Sequence, residues 1–422
     1  MQLLKGSFKS QKLYVIAFAL LVIYAGLRTY FVNITHDEAY SFHNVKNFWY
    51  AEFLCTGNSH WVNSLAIKTS LLFGCENTFC IRWLSLFSFL TTCVFGLWLL
   101  KSINSNSAKL LLFCLIFLNP YLLDYFGLAR GYASGIMFQC LALFFFTRGL
   151  ETNPSVGGAR RHLTLFSSLV CSSLSSVSNY SFVYFFMAFA LIYFSAIYFK
   201  QGKPALKNKH FYFDLVFTAG MAFVIIKALS FIVKCSGDVV GAGEPSFLSM
   251  FHVFSDGLFY GKLILPKFLK YGFSLGIVIM ISVSCLYGIF KTQEHQNLLF
   301  FYTSLIVCIM ILTMVFNYFS FGLYYPFYRS AQLLFIPIFM VITFFIHHKL
   351  SAFKITKPIT FVICFLLIVN FCLSINFKYT FDFKDQADAE ECFDKVESLN
   401  AKNVGISPQL WGAFANYYYL KE

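Results

Sequence analysis

Long apolar runs separated by short polar segments extend over most of the chain. A helix needs about 20 apolar residues to cross the hydrocarbon core of a bilayer. About eleven runs approach that length, which predicts an all-α polytopic membrane protein with that many transmembrane helices. The runs lie near residues 13–32, 79–100, 109–124, 132–147, 163–178, 181–199, 211–233, 268–290, 298–316, 331–346 and 358–375.

The composition favours the same class of protein. Of the 422 residues, 58% are hydrophobic and 12% are charged, whereas a soluble domain carries about a quarter charged residues. Aromatic residues reach 20%, as suits lipid-facing surfaces. The net charge of +13 is spread in short clusters between apolar runs and not along one face. We therefore expect the lipid bilayer as a partner, and no nucleic acid.

The basic residues of the short loops predict the orientation. They fall on one side when the N-terminus is placed in the cytoplasm, and the C-terminus is then extracytoplasmic. The first run has full span length and no small-residue cleavage site, so a retained helix is predicted. The loop 33–78 is then external, and its apolar stretch 61–73 is predicted to be an interfacial amphipathic helix. Cys75 and Cys80 in this loop could form a disulfide.

Two parts are predicted along the chain. Residues 1–375 form the transmembrane domain, and residues 376–422 form a small extracytoplasmic segment. A polar helix at 385–399, followed by the apolar residues of 403–407, indicates an α/β fold for this segment. The chain has no Walker or dinucleotide glycine motif, which argues against an ATP-driven transporter.

Two adjacent carboxylates, Asp37 and Glu38, follow the first predicted span directly. Desolvation at a membrane surface can raise the pKa of a carboxylate, and a carboxylate near a substrate hydroxyl can accept its proton. The alternative is a solvated helix start, where Asp37 favours the helix dipole. Spacing alone leaves both interpretations open.

A polar group follows in the same loop. Asn58, His60 and Asn63 lead into the apolar stretch, and Lys68 and Arg82 come after them. Such side chains could bind sugar hydroxyls or a phosphate. Ordinary loop capping is the alternative.

Arginines occur at the outer ends of predicted spans. Arg130 lies between two spans, six residues after Asp124, and Arg329 lies among tyrosines at the start of another. Ionisable residues at such positions are usually functional, and arginine can bind a phosphate with two hydrogen bonds. A structural pair between Asp124 and Arg130, and a snorkelling role for Arg329, are the alternatives.

These short motifs, in this order, resemble the GT-C-type membrane glycosyltransferases, in the branch of the protein mannosyltransferases and lipopolysaccharide sugar transferases. The resemblance extends over about 13–376. Its acidic motif matches residues 37–39, and an Asn/His element resembles 58–68. An Arg-Gly-Tyr turn matches 130–132, and a Tyr-Pro…Arg element resembles 325–329.

The resemblance implies a GT-C-like fold and a polyprenyl-phosphate-linked sugar as donor. The acceptor is a lipid, a glycan or a protein, and the site lies on the outer face of a bacterial inner membrane. Asp37 is implied as the catalytic carboxylate with Glu38 in support, while Arg130 and Arg329 neutralise the departing phosphate. The substrate-binding residues that we expect are Asn58, His60, Asn63, Lys68 and Tyr132.

The neighbouring positions of Asp37 and Glu38 predict inversion at the anomeric carbon, because adjacent residues cannot easily act on both faces of a sugar. No cofactor is predicted, although a divalent cation stays open, with Asp37, Glu38 and His60 as its only candidate ligands. Two other functions are considered: a transporter or flippase of lipid-linked sugars, and a non-catalytic partner of a transferase.

Overall fold

The structure is a computed structural model that describes residues 8–47, 60–152, 158–202, 208–236, 243–260, 266–291, 298–349, 353, 355–386 and 389–399. Almost all of the regular structure of these residues is helical. The long helices are α1 (Phe8–Phe31), α4 (Thr78–Ser102), α7 (Gly131–Glu151), α8 (Gly158–Ser178), α9 (Val183–Gln201), α10 (Lys209–Ser236), α12 (Lys267–Lys291), α13 (Leu298–Phe321), α14 (Phe335–His348) and α15 (Thr356–Ser374). The shorter ones are α2 (His36–Asn47), α3 (Trp61–Leu72), α5 (Asn106–Phe117), α6 (Pro120–Phe126), α11 (His252–Phe259) and α16 (Ala389–Ser398).

The prediction of an all-α polytopic membrane protein is confirmed. Nine helical segments of the described residues are long and apolar enough to cross a membrane. A tenth span results if α5 and α6 cross together, although they are bent by 53° at their junction. The bend has a local cause: Pro120 opens α6, and the Asn119 side chain accepts hydrogen bonds from the first backbone N–H groups of α6.

The remaining predicted span, 163–178, is found as the helix α8, whose composition is too polar for it to be counted among the nine. It is rich in serine, and most of it is buried against α7 and α9. Most of its serine hydroxyls donate to carbonyl oxygens one turn earlier, as from Ser172 to Leu169 at 2.8 Å and from Ser178 to Leu174 at 2.7 Å, and Ser175 donates to Gly135 of α7. The helix therefore satisfies its own polar groups inside the bundle.

The helices divide into an inner and an outer set. The core surrounds α14, which is buried along most of its length, whereas α10 and α15 expose most of their residues. Val216 on α10 and Phe361 on α15 are exposed by 71% and 66%. Apolar surface of this kind is what a bilayer covers.

The stretch predicted to be an interfacial amphipathic helix forms the helix α3, which has 12 residues and is too short to span. It packs beside α2, and the predicted disulfide between Cys75 and Cys80 is formed just after it. A short antiparallel bridge pairs Gly243 with Pro326 and connects the segment before α11 to the segment before α14.

The C-terminal segment begins with residues 376–386, which pack against the bundle and contain a 3₁₀ helix at Phe381–Gln386. The predicted polar helix is found at Ala389–Ser398. The predicted apolar stretch 403–407 lies outside the described residues, so the described part of this segment is helical.

Candidate functional site

The site begins where α1 meets α2. Thr35 and Glu38 form a capping box at the start of α2: the Glu38 carboxylate accepts from the Thr35 backbone N–H at 3.0 Å, and the Glu38 N–H donates to the Thr35 hydroxyl at 3.4 Å. The alternative of a solvated helix start is correct in that Asp37 lies in the first turn of α2, but the segment is buried and not solvated. Neighbouring residues on a helix are rotated by roughly 100°, so the Asp37 carboxylate points in a different direction.

Glu38 is fully buried and forms a bidentate pair with the buried Arg82 of α4. Arg82 donates from Nε to Oε1 at 2.8 Å and from Nη2 to Oε2 at 2.7 Å. The backbone N–H of Ala129 also donates to Oε1. Burial alone would raise the pKa of Glu38, but the charge and hydrogen bonds of Arg82 hold that pKa below its ordinary value. Both oxygens are occupied, so Glu38 supports the site without being available as a base.

The same arginine closes the corner between α1 and α2. Its Nη1 donates to the carbonyl oxygens of Thr29 and Val32, and its Nη2 donates to that of Asn33 at 3.0 Å. These bonds satisfy carbonyl groups at the end of α1. Arg82 and Glu38 together therefore fix the position from which α2 presents its next carboxylate.

That carboxylate, Asp37, contacts the two arginines that the sequence singled out. Its Oδ2 lies 3.1 Å from Nη2 of Arg130 and 2.7 Å from Nη1 of Arg329. The Arg130 side chain is 2% exposed, whereas that of Arg329 is 32% exposed. The three residues are far apart in sequence, and the fold brings them to one end of the bundle. Two guanidinium groups thus converge on one carboxylate oxygen.

The loop that carries Arg130 is held from several sides. Asn63 of α3 donates to the Ala129 carbonyl at 2.8 Å, and Ser85 of α4 donates to that of Leu128. A Cβ added to Gly131, the first residue of α7, would lie 1.8 Å from the Ser178 carbonyl oxygen. Only glycine allows this close approach, so the position of Arg130 depends on it.

His60 and Tyr132 lie beside these charges. Their rings are 5.6 Å apart, and the Asn179 amide lies 3.5 Å from Nδ1 of His60. Nε2 of His60 is buried and has no hydrogen-bond partner among the described residues. Burial, reinforced by the charge of Arg130, holds the pKa of His60 well below its ordinary value, so the imidazole is neutral.

The alternative structural pair between Asp124 and Arg130 is wrong. Asp124 pairs instead with the buried Arg28 of α1 at 2.6 Å and accepts hydrogen bonds from the Tyr260 hydroxyl and the Phe381 N–H. Arg28 also donates to carbonyl oxygens of the C-terminal segment, at Asn376 and Tyr379. This second buried pair ties the C-terminal segment to the bundle.

The C-terminal segment also brings Asp382 to the site, which sequence reasoning did not select. Its Oδ2 accepts from the hydroxyl of Tyr121 at 3.2 Å and from that of Tyr125, whose ring lies 4.9 Å from that of Tyr132. Burial raises the pKa of Asp382, while the positive charge of nearby Arg329 lowers it and the Asp37 carboxylate raises it further. The site therefore contains two carboxylates from opposite ends of the chain.

One predicted substrate-binding residue, Lys68, lies elsewhere, and another, Asn58, cannot be placed among the described residues. Lys68 places its amino group 3.5 Å from the Val45 carbonyl, in the last turn of α2. That position is about 12 Å along the helix from Asp37. Asn58 lies outside the described residues. Within the described residues, no group of three His, Cys, Asp or Glu side chains is arranged to hold a metal ion.

Taken together, one end of the bundle presents two carboxylates, two arginines, a neutral imidazole and tyrosine hydroxyls. Such a site can bind an anion through Arg130 and Arg329 and can offer a carboxylate to a hydroxyl group. Comparisons with known protein families, with characterised proteins and with solved structures found no match to this chain.

Proposed function

We propose that this protein is a GT-C-type membrane glycosyltransferase that moves a sugar from a polyprenyl-phosphate donor to a lipid, glycan or protein acceptor. The observation that carries the proposal is the contact of Asp37 with both Arg130 and Arg329. It joins a carboxylate, the group that a hydroxyl acceptor requires, to cations that a phosphate leaving group requires.

In the proposed reaction the bond between the anomeric carbon and the donor phosphate oxygen breaks. The departing phosphate gains negative charge, which Arg130 and Arg329 stabilise. A bond forms between the anomeric carbon and the acceptor oxygen, and Asp37 accepts the proton of that hydroxyl. His60, Asn63 and Tyr132 line the same end of the bundle and are proposed to contact the substrates.

Inversion at the anomeric carbon is proposed from the hydrogen bonds of the other two carboxylates. Asp382 accepts from the hydroxyls of Tyr121 and Tyr125, and Glu38 is held by its own donors. A retaining double displacement needs a free carboxylate as nucleophile, close to a second one. Glu38 is saturated by donors from Thr35, Arg82 and Ala129 and cannot take that role. A product with the same anomeric configuration as the donor would contradict this part of the proposal.

The geometry adds a competition between Asp37 and the donor. A phosphate that binds Arg329 competes with Asp37 Oδ2 for the same guanidinium nitrogens. Donor binding would thus release the carboxylate for the acceptor hydroxyl. An Asp37→Asn variant should bind the donor at least as tightly as the wild type and fail to transfer the sugar.

Eleven crossings are proposed, with the N-terminus in the cytoplasm and the C-terminus outside. Arg82, near the beginning of α4, and Arg130, just before α7, both lie at the site, which supports a crossing of α5 and α6 as a pair. By the same reasoning α8 crosses between α7 and α9. The basic residues in the last turns of α4, α7 and α9, which are Lys101, Arg148 and Lys200, lie at the opposite end and support a cytoplasmic face there. The disulfide of Cys75 and Cys80 supports an oxidising compartment at the site.

The test is thermal stabilisation of the purified protein by a panel of polyprenyl-phosphate sugars. The wild type is compared with Arg329→Ala, Asp37→Asn and the control Lys68→Ala, whose amino group lies away from Asp37. Stabilisation by one donor that is kept in Asp37→Asn and in the control, and lost in Arg329→Ala, supports the proposal. Stabilisation by other lipid-linked solutes but by no sugar lipid would favour a transporter.

A further inference from the structure

A second polar cluster lies at the opposite end of the bundle, around a cavity of about 310 Å³ between α8, α9 and α10. The distance along α8 from Arg161 to Ser178, which borders the Asp37 site, is about 25 Å. The cavity is therefore separate from the proposed transfer site. Its polar lining consists of Arg161, His162, Tyr193, Asn208, His210 and Asp214.

The one carboxylate of this lining is already occupied. Asp214 is buried. Its Oδ2 accepts from the Tyr193 hydroxyl at 2.7 Å, and its Oδ1 lies 3.0 Å from Nε2 of His162. The ring of His210 lies 4.1 Å from that of His162 at the more exposed side of the cavity. Asp214 thus organises the cavity wall.

Arg161 has no comparable partner. The residue is only 7% exposed, and its Nε donates to the Gly149 carbonyl at 3.3 Å. Its Nη2 has no hydrogen-bond partner, and the arginine forms no ion pair, among the described residues. The flanking loop sequences 152–157 and 203–207 contain no Asp or Glu. A buried cation that makes no direct ion pair is costly.

A second cation, Lys200, adds to the positive charge near the cavity. Lys200, at the end of α9, lies close enough to Arg161 for the two positive charges to repel each other. Its amino group donates to the Leu150 carbonyl. Lys200 ends one candidate span, and Arg161 contacts Gly149 near the end of another, so both lie near the level of a membrane surface. Basic pockets between transmembrane helices at that level are suited to phosphate-bearing head groups.

We infer that this cavity is a binding site for a phosphate-bearing anion, with Arg161 as its principal ligand and His210 and Asn208 at its rim. The guanidinium offers the two parallel donors that phosphate oxygens accept, and the neighbouring membrane surface supplies anionic lipid head groups. A soluble phosphate has the same chemistry. The site is independent of glycosyl transfer, since it lies at the other end of α8.

The experiment compares wild type, Arg161→Gln and the matched control Arg160→Gln, which removes the same charge from an exposed neighbour. Each protein is reconstituted in phosphatidylcholine nanodiscs and titrated with phosphatidylglycerol or inorganic phosphate, and melting temperatures are recorded. The wild type and the control should be stabilised by phosphatidylglycerol, and Arg161→Gln should bind it roughly tenfold or more weakly. Stabilisation by inorganic phosphate alone would assign the site to a soluble anion.

Equal stabilisation of all three proteins, or of none, would overturn the inference. A labelling experiment on the wild type covers the case in which Arg161→Gln does not fold. A phosphatidylglycerol with a photoreactive head group should label peptides of α8 and α10 around Arg161 and His210. Excess phosphatidylglycerol should suppress this labelling, whereas phosphatidylcholine should not. Labelling that neither lipid reduces would also contradict the proposed site.

Discussion

Replacing Glu38 by glutamine tests whether this residue holds the site together. The substitution keeps the shape of the side chain and exchanges one carboxylate oxygen for an NH₂ group. In the wild type, Oε1 accepts from Arg82 and Ala129, and Oε2 accepts from Arg82 and twice from Thr35. Whichever oxygen is exchanged, at least two buried donors then face another donor.

The magnitude follows from the burial of the pair, since both side chains are fully buried. A buried donor without an acceptor costs about 1–3 kcal/mol, and breaking a buried ion pair costs about 3–5 kcal/mol. We therefore expect Glu38→Gln to lower the free energy of unfolding by about 3–5 kcal/mol. The matched control is Glu76→Gln, which breaks an exposed pair with Lys46 at 3.0 Å and should cost at most about 1 kcal/mol.

The assay is equilibrium unfolding of both variants in mixed micelles with increasing sodium dodecyl sulfate, followed by tryptophan fluorescence. Glu38→Gln should unfold at a clearly lower detergent fraction than the wild type and Glu76→Gln. If the two variants lose the same small amount of stability, Glu38 is not the buried anchor of the Arg82 contacts. The assignment of a supporting role to Glu38 would then be refuted.

Two further predictions concern the close helix contact and the C-terminal segment. Gly131→Ala should lower both the melting temperature and sugar transfer, because its Cβ would lie 1.8 Å from a carbonyl oxygen. The control Gly220→Ala, whose Cβ would have nothing within 4 Å, should leave both unchanged. Equal behaviour of the two variants would contradict the close contact at Gly131. The pKa of Asp382 is raised above its ordinary value of 3.8, so its contribution to stability is complete below that pH and is lost as the pH rises through the folded pKa. The melting temperature of Asp382→Asn minus that of the wild type should therefore increase as the pH is raised from acid to neutral. A constant difference across that range would refute the raised pKa of Asp382.

The sequence predicts the class of fold well, because apolar runs and their lengths are local properties. The number of spans stays a prediction, since α8 is a buried helix most of whose serines hydrogen-bond to its own backbone. The bend at Pro120 has a local signal that is visible in the sequence. Whether a bent or polar helix crosses the membrane depends on its neighbours.

The candidate site shows the same division. The sequence selected Asp37, Arg130 and Arg329 individually, and the fold joins them in one cluster. The capping box of Thr35 and Glu38 is a local signal in the sequence. In contrast, which arginine a buried carboxylate pairs with depends on residues that are distant in the sequence.

Asp124 and Asp382 illustrate that long-range choice. Asp124 pairs with Arg28, which is 96 residues away, and not with the nearer Arg130. Asp382 reaches the site because Arg28 and Asp124 hold the C-terminal segment against the bundle. Nothing in the acidic C-terminal sequence distinguishes Asp382 from its neighbours, so only the packing reveals it.

The proposed activity is tested most directly by release of polyprenyl phosphate from the stabilising donor, measured with purified protein in nanodiscs together with a hydroxyl acceptor. The wild type should release it with inverted transfer of the sugar. Asp37→Asn should bind the donor at least as tightly and release no polyprenyl phosphate. Donor binding without bond cleavage in the wild type, or cleavage that persists in Asp37→Asn, would contradict the proposal that Asp37 is the base of a sugar transferase.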